Sequence, residues 1–331
     1  MRERVAGGFV QLEASMTRVI VTGASGFIGR HCLAPLVAAG YDVHAVLSRR
    51  GAVEIPGVTW HVGDLHDRGR TFALVDELAA SHLLHLAWSF GPGGSDSAKK
   101  GECPDHYRWT LATLDLVRRF TEAGGKRVVV GGTSFEYDWA DGLCAEDSTL
   151  RRPTNYYGAC KNALYELLTG YAEAIGLSLA WSRIFFLYGP QEPPERLIAS
   201  VIRNILRGEP ALCSHGRQVR DYMYVEDVAE ALVAVLGSDV RGAINIGSQE
   251  PIALRDLIGA AAEQIGRPDL VRLGALPARP TDAPLVLAKT NRLREEVGWR
   301  PRFSHAEGLA RTIDWWRAQL AAQSHHHPET V

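Results

Sequence analysis

A cysteine cluster of metal-binding spacing, a basic stripe and a charged leader before an apolar stretch are all missing from this chain, and each absence removes a class of function. The five cysteines (Cys32, Cys103, Cys144, Cys160 and Cys213) are scattered, so no metal is assigned and reduced thiols are expected. Lysine and arginine together number 36 against 38 acidic residues, for a formal charge of −2. With both signs mixed throughout, neither nucleic acid nor a membrane is expected as a partner. Cytoplasm is the expected compartment.

What is present is a chain of 331 residues with 46% hydrophobic side chains, long enough for one large or two medium domains. Met1–Ser15 carries neither helical nor strand period, so residues 1–16 are expected to form a disordered extension, with Met16 a candidate functional start. At the other end, residues 321–331 contain His325-His326-His327 followed by Pro328. This is read as a disordered tail of no catalytic meaning.

Between these ends a strand–turn–helix rhythm repeats. The pattern predicts strands at Arg18–Thr22, Val43–Leu47, Val58–Val62, Leu83–Trp88, Arg127–Gly131 and Ser178–Phe186. It predicts helices at Phe27–Ala39, Arg70–Ala80, His106–Ala123 and Thr154–Ile175. Strands apolar on both faces that alternate with helices specify an α/β fold with a doubly wound parallel sheet of the Rossmann type. It is expected over residues 17–189 with returning segments at about 220–248. The shorter, proline-punctuated pieces at 190–219 and 249–320 are expected to form a smaller C-terminal substrate-binding lobe, with helices at Glu195–Arg207, Leu254–Ile265 and Ala306–Ala321; a strand is expected at Ala243–Ile246, within the returning segment.

The first strand runs into Gly23-Ala24-Ser25-Gly26-Phe27-Ile28-Gly29. In this spacing the first glycine permits a tight turn, the second lets the backbone approach a pyrophosphate, and the third lets the helix pack on the strand. Free N–H groups and the positive end of the helix dipole then face the anion. Where the second strand ends, a carboxylate would grip the ribose of NAD; Arg49 and Arg50 stand there instead and suit the extra phosphate of NADP. Solvated loop charges remain the alternative. Asp64, after the third strand, can accept from an adenine amino group while Leu65 packs on the ring; an N-cap is the alternative reading.

Tyr157 and Lys161 stand at i and i+4 of a predicted helix and project from one face. An ammonium beside a tyrosine lowers the phenol's pKa and can hold a ribose hydroxyl, which makes the tyrosine a workable acid/base. Thr133, at the end of the preceding strand, can hydrogen-bond a carbonyl or alcohol oxygen. Carbonyl reduction or alcohol oxidation follows from these residues.

In combination, TGASGFIG (22–29), GDL (63–65), HLAW (85–88), GGTSFEYD (131–138), YGACK (157–161), RIFFLYGP (183–190), RDYMYVEDVA (220–229) and NIGS (245–248) resemble an extended short-chain dehydrogenase/reductase of the nucleotide-sugar epimerase, dehydratase and ketoreductase group. The likeness runs from about Arg18 to Trp316. It implies Tyr157 as acid/base, Lys161 as its electrostatic partner and ribose anchor, and Thr133 as the polarising hydroxyl. Dinucleotide contacts are implied at Leu86, Ala87 and Phe185. Trp88, Ser89 and Ser134 are placed near the sugar, and Arg220, Arg279 and Asp282 near its diphosphate. The loop at 91–95 either covers the sugar or is plain surface.

Departures from the family pattern constrain the reaction. Dehydratases carry an Asp-Glu pair directly after the Thr; here Ser134 and Phe135 stand in those places, so dehydration is not expected. Phe186 replaces an asparagine and reshapes the pocket, and Trp109 replaces another. The resulting expectation is an NADPH-dependent ketoreductase of a nucleotide-linked 4-keto-6-deoxy sugar, with NAD second as cofactor. The alternatives are a nucleotide-sugar 4-epimerase and, from another class, a silent dinucleotide sensor. A homodimer through the helices 106–123 and 154–175 is implied by the resemblance, with Leu111, Leu114, Leu164 and Leu168 either in that interface or against the sheet. Tyr157→Phe is expected to abolish turnover while sparing dinucleotide binding, and unchanged activity refutes the assigned role.

Overall fold

The computed structural model describes residues 16–48, 54–89, 101–278 and 282–324. Arg49, Arg50, Arg279, the 91–95 loop and the His325–His327 run lie outside the described residues. In chain order the first half runs β1 (Arg18–Thr22), α1 (Gly29–Ala38), β2 (Asp42–Leu47), β3 (Val58–Val62), α2 (Arg68–Leu78), β4 (His82–His85), α3 (Asp105–Glu122), β5 (Arg127–Thr133), a 3₁₀ turn (Ser134–Glu136), β6 (Leu143–Cys144), α4 (Tyr156–Ile175) and β7 (Ser178–Ile184). The second half adds β8 (Phe186–Tyr188), α5 (Leu197–Leu206), β9 (Ala211–Leu212), β10 (Val219–Tyr224), α6 (Val225–Gly237), β11 (Gly242–Ile246), β12 (Pro251–Ala253), α7 (Leu254–Ile265), β13 (Val271–Arg272), β14 (Leu285–Ala288), α8 (Asn291–Glu295) and α9 (His305–Ser324).

Seven strands form one sheet in the order β11-β7-β5-β4-β1-β2-β3, and every neighbouring pair is parallel. The strand order reverses between β1 and β4, which opens a crevice at their carboxyl ends, the place where doubly wound sheets bind ligands. The two faces explain the unbroken apolar runs: Val19, Val21 and Leu33 pack on one side, Ile20, Leu83 and Leu116 on the other.

A second, mixed sheet collects β12, β10, β14 and β6 in that order, with β8 also paired to β10. Two of its strands, β6 and β8, come from within the first 189 residues. Arg220 to Tyr224 also pairs there, not in the large sheet. The chain thus crosses between the sheets repeatedly, and only β11 of the later strands returns to the large sheet. Helix α6, to which the apolar spacing assigned no element, packs against α1 and buries Val228, Leu232 and Leu236.

Several boundaries differ from the sequence expectation. Strand β5 continues through Thr133, which pairs with Ile184. The run 178–186 is broken by Phe185, whose N–H goes to the Ile246 carbonyl at 3.0 Å before β8 pairs elsewhere. Leu164 and Leu168 are buried against the sheet, while Leu111 is exposed. Among the described residues no helix is long and apolar enough to cross a membrane.

The turn after β1 depends on its glycines. Gly23 adopts φ +71°, and a Cβ there would lie 2.6 Å from the backbone of Leu86 and Ala87; one on Gly29 would lie 2.2 Å from the Gly23 carbonyl oxygen. Both neighbours are backbone and cannot step aside. Gly29→Ala is therefore expected to cost about 1–3 kcal/mol, measured by urea unfolding, and to weaken dinucleotide binding.

Candidate active site

Helix α1 begins at Gly29 with Ile28 as N-cap, which provides no side-chain cap. The Arg30 N–H returns to the Gly26 carbonyl at 3.3 Å and the His31 N–H to the Ile28 carbonyl at 3.0 Å, so the N–H groups just ahead of them, from Phe27 to Gly29, face a ligand or water. Ser25 and Gly26 are exposed on this turn, Phe27 and Ile28 are half-buried against the core. Arg30 reaches from α1 to Gln191 Oε1 at 2.8 Å, tying the turn to the loop after Gly189-Pro190. The cradle fits a dinucleotide pyrophosphate, because a side chain at position 23 or 29 would fill the turn.

Asp64 is exposed and its Oδ1 accepts from the His66 N–H at 3.0 Å. The N-cap of α2 is Asp67, not Asp64, so the Asp64 carboxylate keeps accepting capacity at the crevice edge. Leu65 and Ala87 are buried there and Leu86 is half-buried. Below the turn, buried His85 bridges Thr22 Oγ1 at 2.7 Å and Thr113 Oγ1 at 2.9 Å. Burial, and then the charge of Lys161, lower its pKa to about 3, so this histidine stays neutral and braces β1, β4 and α3.

Three elements converge on Tyr157 and Lys161. Asn155 caps α4 by accepting from the Gly158 N–H at 2.8 Å, and a Cβ on Gly158 would lie 2.3 Å from the Phe135 carbonyl oxygen. Only glycine there lets the first turn of α4 close on the 3₁₀ turn and bring Tyr157 within hydrogen-bonding reach of Thr133. One turn on, Lys161 is 3% exposed and its Nζ donates to the Gly131 carbonyl at 2.7 Å.

The electrostatics correct one expectation. Burial raises the Tyr157 phenol above its ordinary range; the Thr133 hydrogen bond opposes this, Glu136 reinforces it and Arg196 opposes it. Lys161 is not what lowers it, because burial brings Lys161 itself down to about 7, against the attraction of Glu136. A phenol and an ammonium both removed from water are each pushed toward neutrality.

Glu136 escaped the motif reading although Thr133-x-x-Glu136 is a capping-box pattern. The carboxylate, with no exposure, accepts from Thr133 N at 2.8 Å, from Trp181 Nε1 at 2.9 and 3.0 Å, and from Arg183 Nε at 2.7 Å. Arg183 passes the link to Tyr137 Oη at 2.9 Å, and Tyr137 donates to Asn245 Oδ1 at 2.8 Å on β11.

The residues expected to meet a substrate surround this core unequally. Trp88 lies over Lys161, 3.8 Å from Nζ to ring centroid, and edge-on to Tyr157 at 6.0 Å. Ser89 is exposed and Ser134 is buried, its carbonyl accepting from Trp139 Nε1 at 2.8 Å. Phe186 meets Phe135, Trp139 and Tyr222, with the Arg220 guanidinium 5.4 Å from its ring. Arg220 is buried and lies 3.8 Å from Asp282, which also accepts from Gln218 at 2.9 Å. Phe185 is buried beside Tyr137. Among the described residues no group of three histidine, cysteine, aspartate or glutamate side chains could hold a metal ion.

Comparison with known proteins places this geometry. Residues 19–247 match the model of the NAD dependent epimerase/dehydratase family. A UDP-glucuronate 4-epimerase of Thermodesulfobacterium geofontis is 26% identical over 91% of this chain and 96% of its own. A dTDP-glucose 4,6-dehydratase of Xanthomonas campestris is 27% identical over 91% and 93%. The structure of MoeE5 in complex with UDP-glucose and NAD is 33% identical, covers 92% of this chain and 99% of that one, and superposes with a TM-score of 0.76.

Buried Lys161 gives a pH signature in the protein without ligands. Its folded pKa lies below that of the unfolded chain, so the unfolded state binds more protons between about pH 7 and pH 10.5, and stability rises with pH across that window. The contribution has a limiting slope of about 1.4 kcal/mol per pH unit. Subtracting the unfolding free energies of Lys161→Met from those of the wild type at pH 7 and pH 9 should expose the rise; a flat difference contradicts it.

Proposed function

This chain belongs to the NAD-dependent epimerase/dehydratase family, and we propose that it is a nucleotide-sugar 4-epimerase that retains NAD and acts on a UDP-linked hexose or hexuronate. The observation that carries this reading is the exit of β5. Thr133 is followed by Ser134 and Phe135, so no carboxyl pair stands ready to eliminate water, while the Thr133, Tyr157 and Lys161 set is complete. The UDP class is supported by the relative named a UDP-glucuronate 4-epimerase and by the UDP-glucose and NAD named with MoeE5.

The bound dinucleotide supplies the two-electron redox partner that no side chain of this protein can be. Gly23, Gly26, Gly29 and the N–H groups from Phe27 to Gly29 hold its pyrophosphate, and Lys161 holds a ribose hydroxyl. In the ligand-free protein Tyr157 is a neutral phenol; the positive charge of an oxidised nicotinamide and a protonated Lys161 would favour its phenolate, which would take the proton of the sugar C4 hydroxyl as that carbon is oxidised and return it to the oxygen after the sugar has presented its other face. Thr133 polarises the same oxygen. Arg220, held by Asp282 and backed by Phe186, meets the diphosphate. Exposed Tyr107 and Leu111 on α3 and Leu167 on α4 support a homodimer through those helices.

A second reading keeps Tyr157 as proton donor but makes the net reaction an NADPH-dependent reduction of a 4-keto-6-deoxy nucleotide sugar. Arg49-Arg50 favours it. Incubation with UDP-glucuronate or UDP-glucose and no consumable dinucleotide should give the 4-epimer by NMR, with no change at the nicotinamide absorbance band. Stoichiometric loss of NADPH absorbance with a 4-keto-6-deoxy sugar nucleotide, and no epimer from the UDP sugars, overturns the epimerase in favour of the reductase.

A further inference from the structure

Lys161 rests on an aromatic floor that the assigned chemistry does not require. Its ammonium is almost wholly removed from water, and the carboxylate that attracts it, Glu136, is committed to Arg183. Compensation comes from three other places, the most distant being the Trp181 ring, 5.9 Å from Nζ to its centroid. One N–H goes to the Gly131 carbonyl at 2.7 Å. The face of the Trp88 indole lies 3.8 Å from Nζ, where the ring quadrupole attracts a cation most in a dry setting. An ammonium has three donors, so one is left for a cofactor hydroxyl.

The indole is itself held. Trp88 Nε1 donates to His106 Nδ1 at 3.0 Å. An indole nitrogen can only donate, so His106 Nδ1 is the unprotonated acceptor and a neutral His106 carries its proton on Nε2. His106 is fully buried on α3, with its ring 5.2 Å from that of Tyr157. Trp109 closes the far side, 6.3 Å from Trp88 and 4.5 Å from His66. A leucine in place of Trp88 would cover the lysine stem without attracting its charge.

We propose that Trp88 is a positioning residue for Lys161 and that His106 acts through Trp88: the indole face fixes the ammonium against Gly131 with one N–H free for the dinucleotide ribose, and His106 fixes the indole. This rests on the dinucleotide-dependent reading of Tyr157 and Lys161. It assigns Trp88 to the cofactor side of the chemistry, and His106 to a task that no motif signals.

The test is dinucleotide binding by calorimetry without any sugar nucleotide, using whichever of NAD or NADP the wild-type protein binds more tightly. Circular dichroism confirms folding of each variant. Trp88→Leu and His106→Leu should weaken binding about tenfold, while Trp88→Phe, which keeps a π face, and His106→Asn, whose Oδ1 can accept from the indole, should stay within about threefold. If Trp88→Leu fails to fold, the His106 pair decides alone. Leucine variants that bind like the wild type, or Phe and Asn variants no better than Leu, overturn the positioning role. A wild-type protein that binds neither dinucleotide overturns the underlying reading of Tyr157 and Lys161 as well.

Discussion

One buried carboxylate organises the surroundings of Thr133 and Tyr157. Glu136 accepts hydrogen bonds from the backbone of Thr133, the indole of Trp181 and the guanidinium of Arg183, and so joins the end of β5 to β7. The Tyr137 hydroxyl extends the link to Asn245 on β11. A buried ion pair is a doubtful source of net stability, since desolvation offsets most of its Coulomb energy, but removing one partner leaves an uncompensated charge. Its value here is geometric. Because every bond of Glu136 has a fixed direction, Thr133 can hold only one position, and the hydroxyl that faces Tyr157 is set with it.

The glycine turns depend on a different physical constraint, the exclusion of side chains. At Gly23, Gly29 and Gly158 backbone atoms approach so closely that a Cβ would collide. The first two shape the turn before α1, and the third brings α4 against the 3₁₀ turn. Charge pairing in one half of the site and absence of side chains in the other produce the same result, a set of donors and acceptors that needs little rearrangement when ligands arrive.

The local geometry of the candidate site is largely legible in the sequence because the relevant signals are local. Glycine spacing reports a turn; Tyr157 and Lys161 four residues apart report a shared helix face. Trp88 was assigned to the sugar, and its contact with Lys161 could not be read because the two belong to different strand–helix units. Glu136 had a local signature in its capping box, yet nothing local reveals that Arg183 and Trp181 close on it. The expected lowering of the Tyr157 pKa failed for a related reason: adjacency was visible in the sequence, whereas burial, the larger effect, was not.

The sequence alone determined that this chain is a doubly wound α/β protein with a glycine turn after its first strand and a tyrosine and a lysine on one helix face, because periodicity, glycine spacing and helical repeat act over a few residues. Only the tertiary structure decided that β6, β8 and β10 leave the first fold unit to build a second sheet, that His85 is a buried neutral brace, that buried His106 accepts from the Trp88 indole, and that Lys161 lies on an indole face. Those facts depend on which distant segments share a volume and exclude water from it, and that property belongs to the packed chain as a whole.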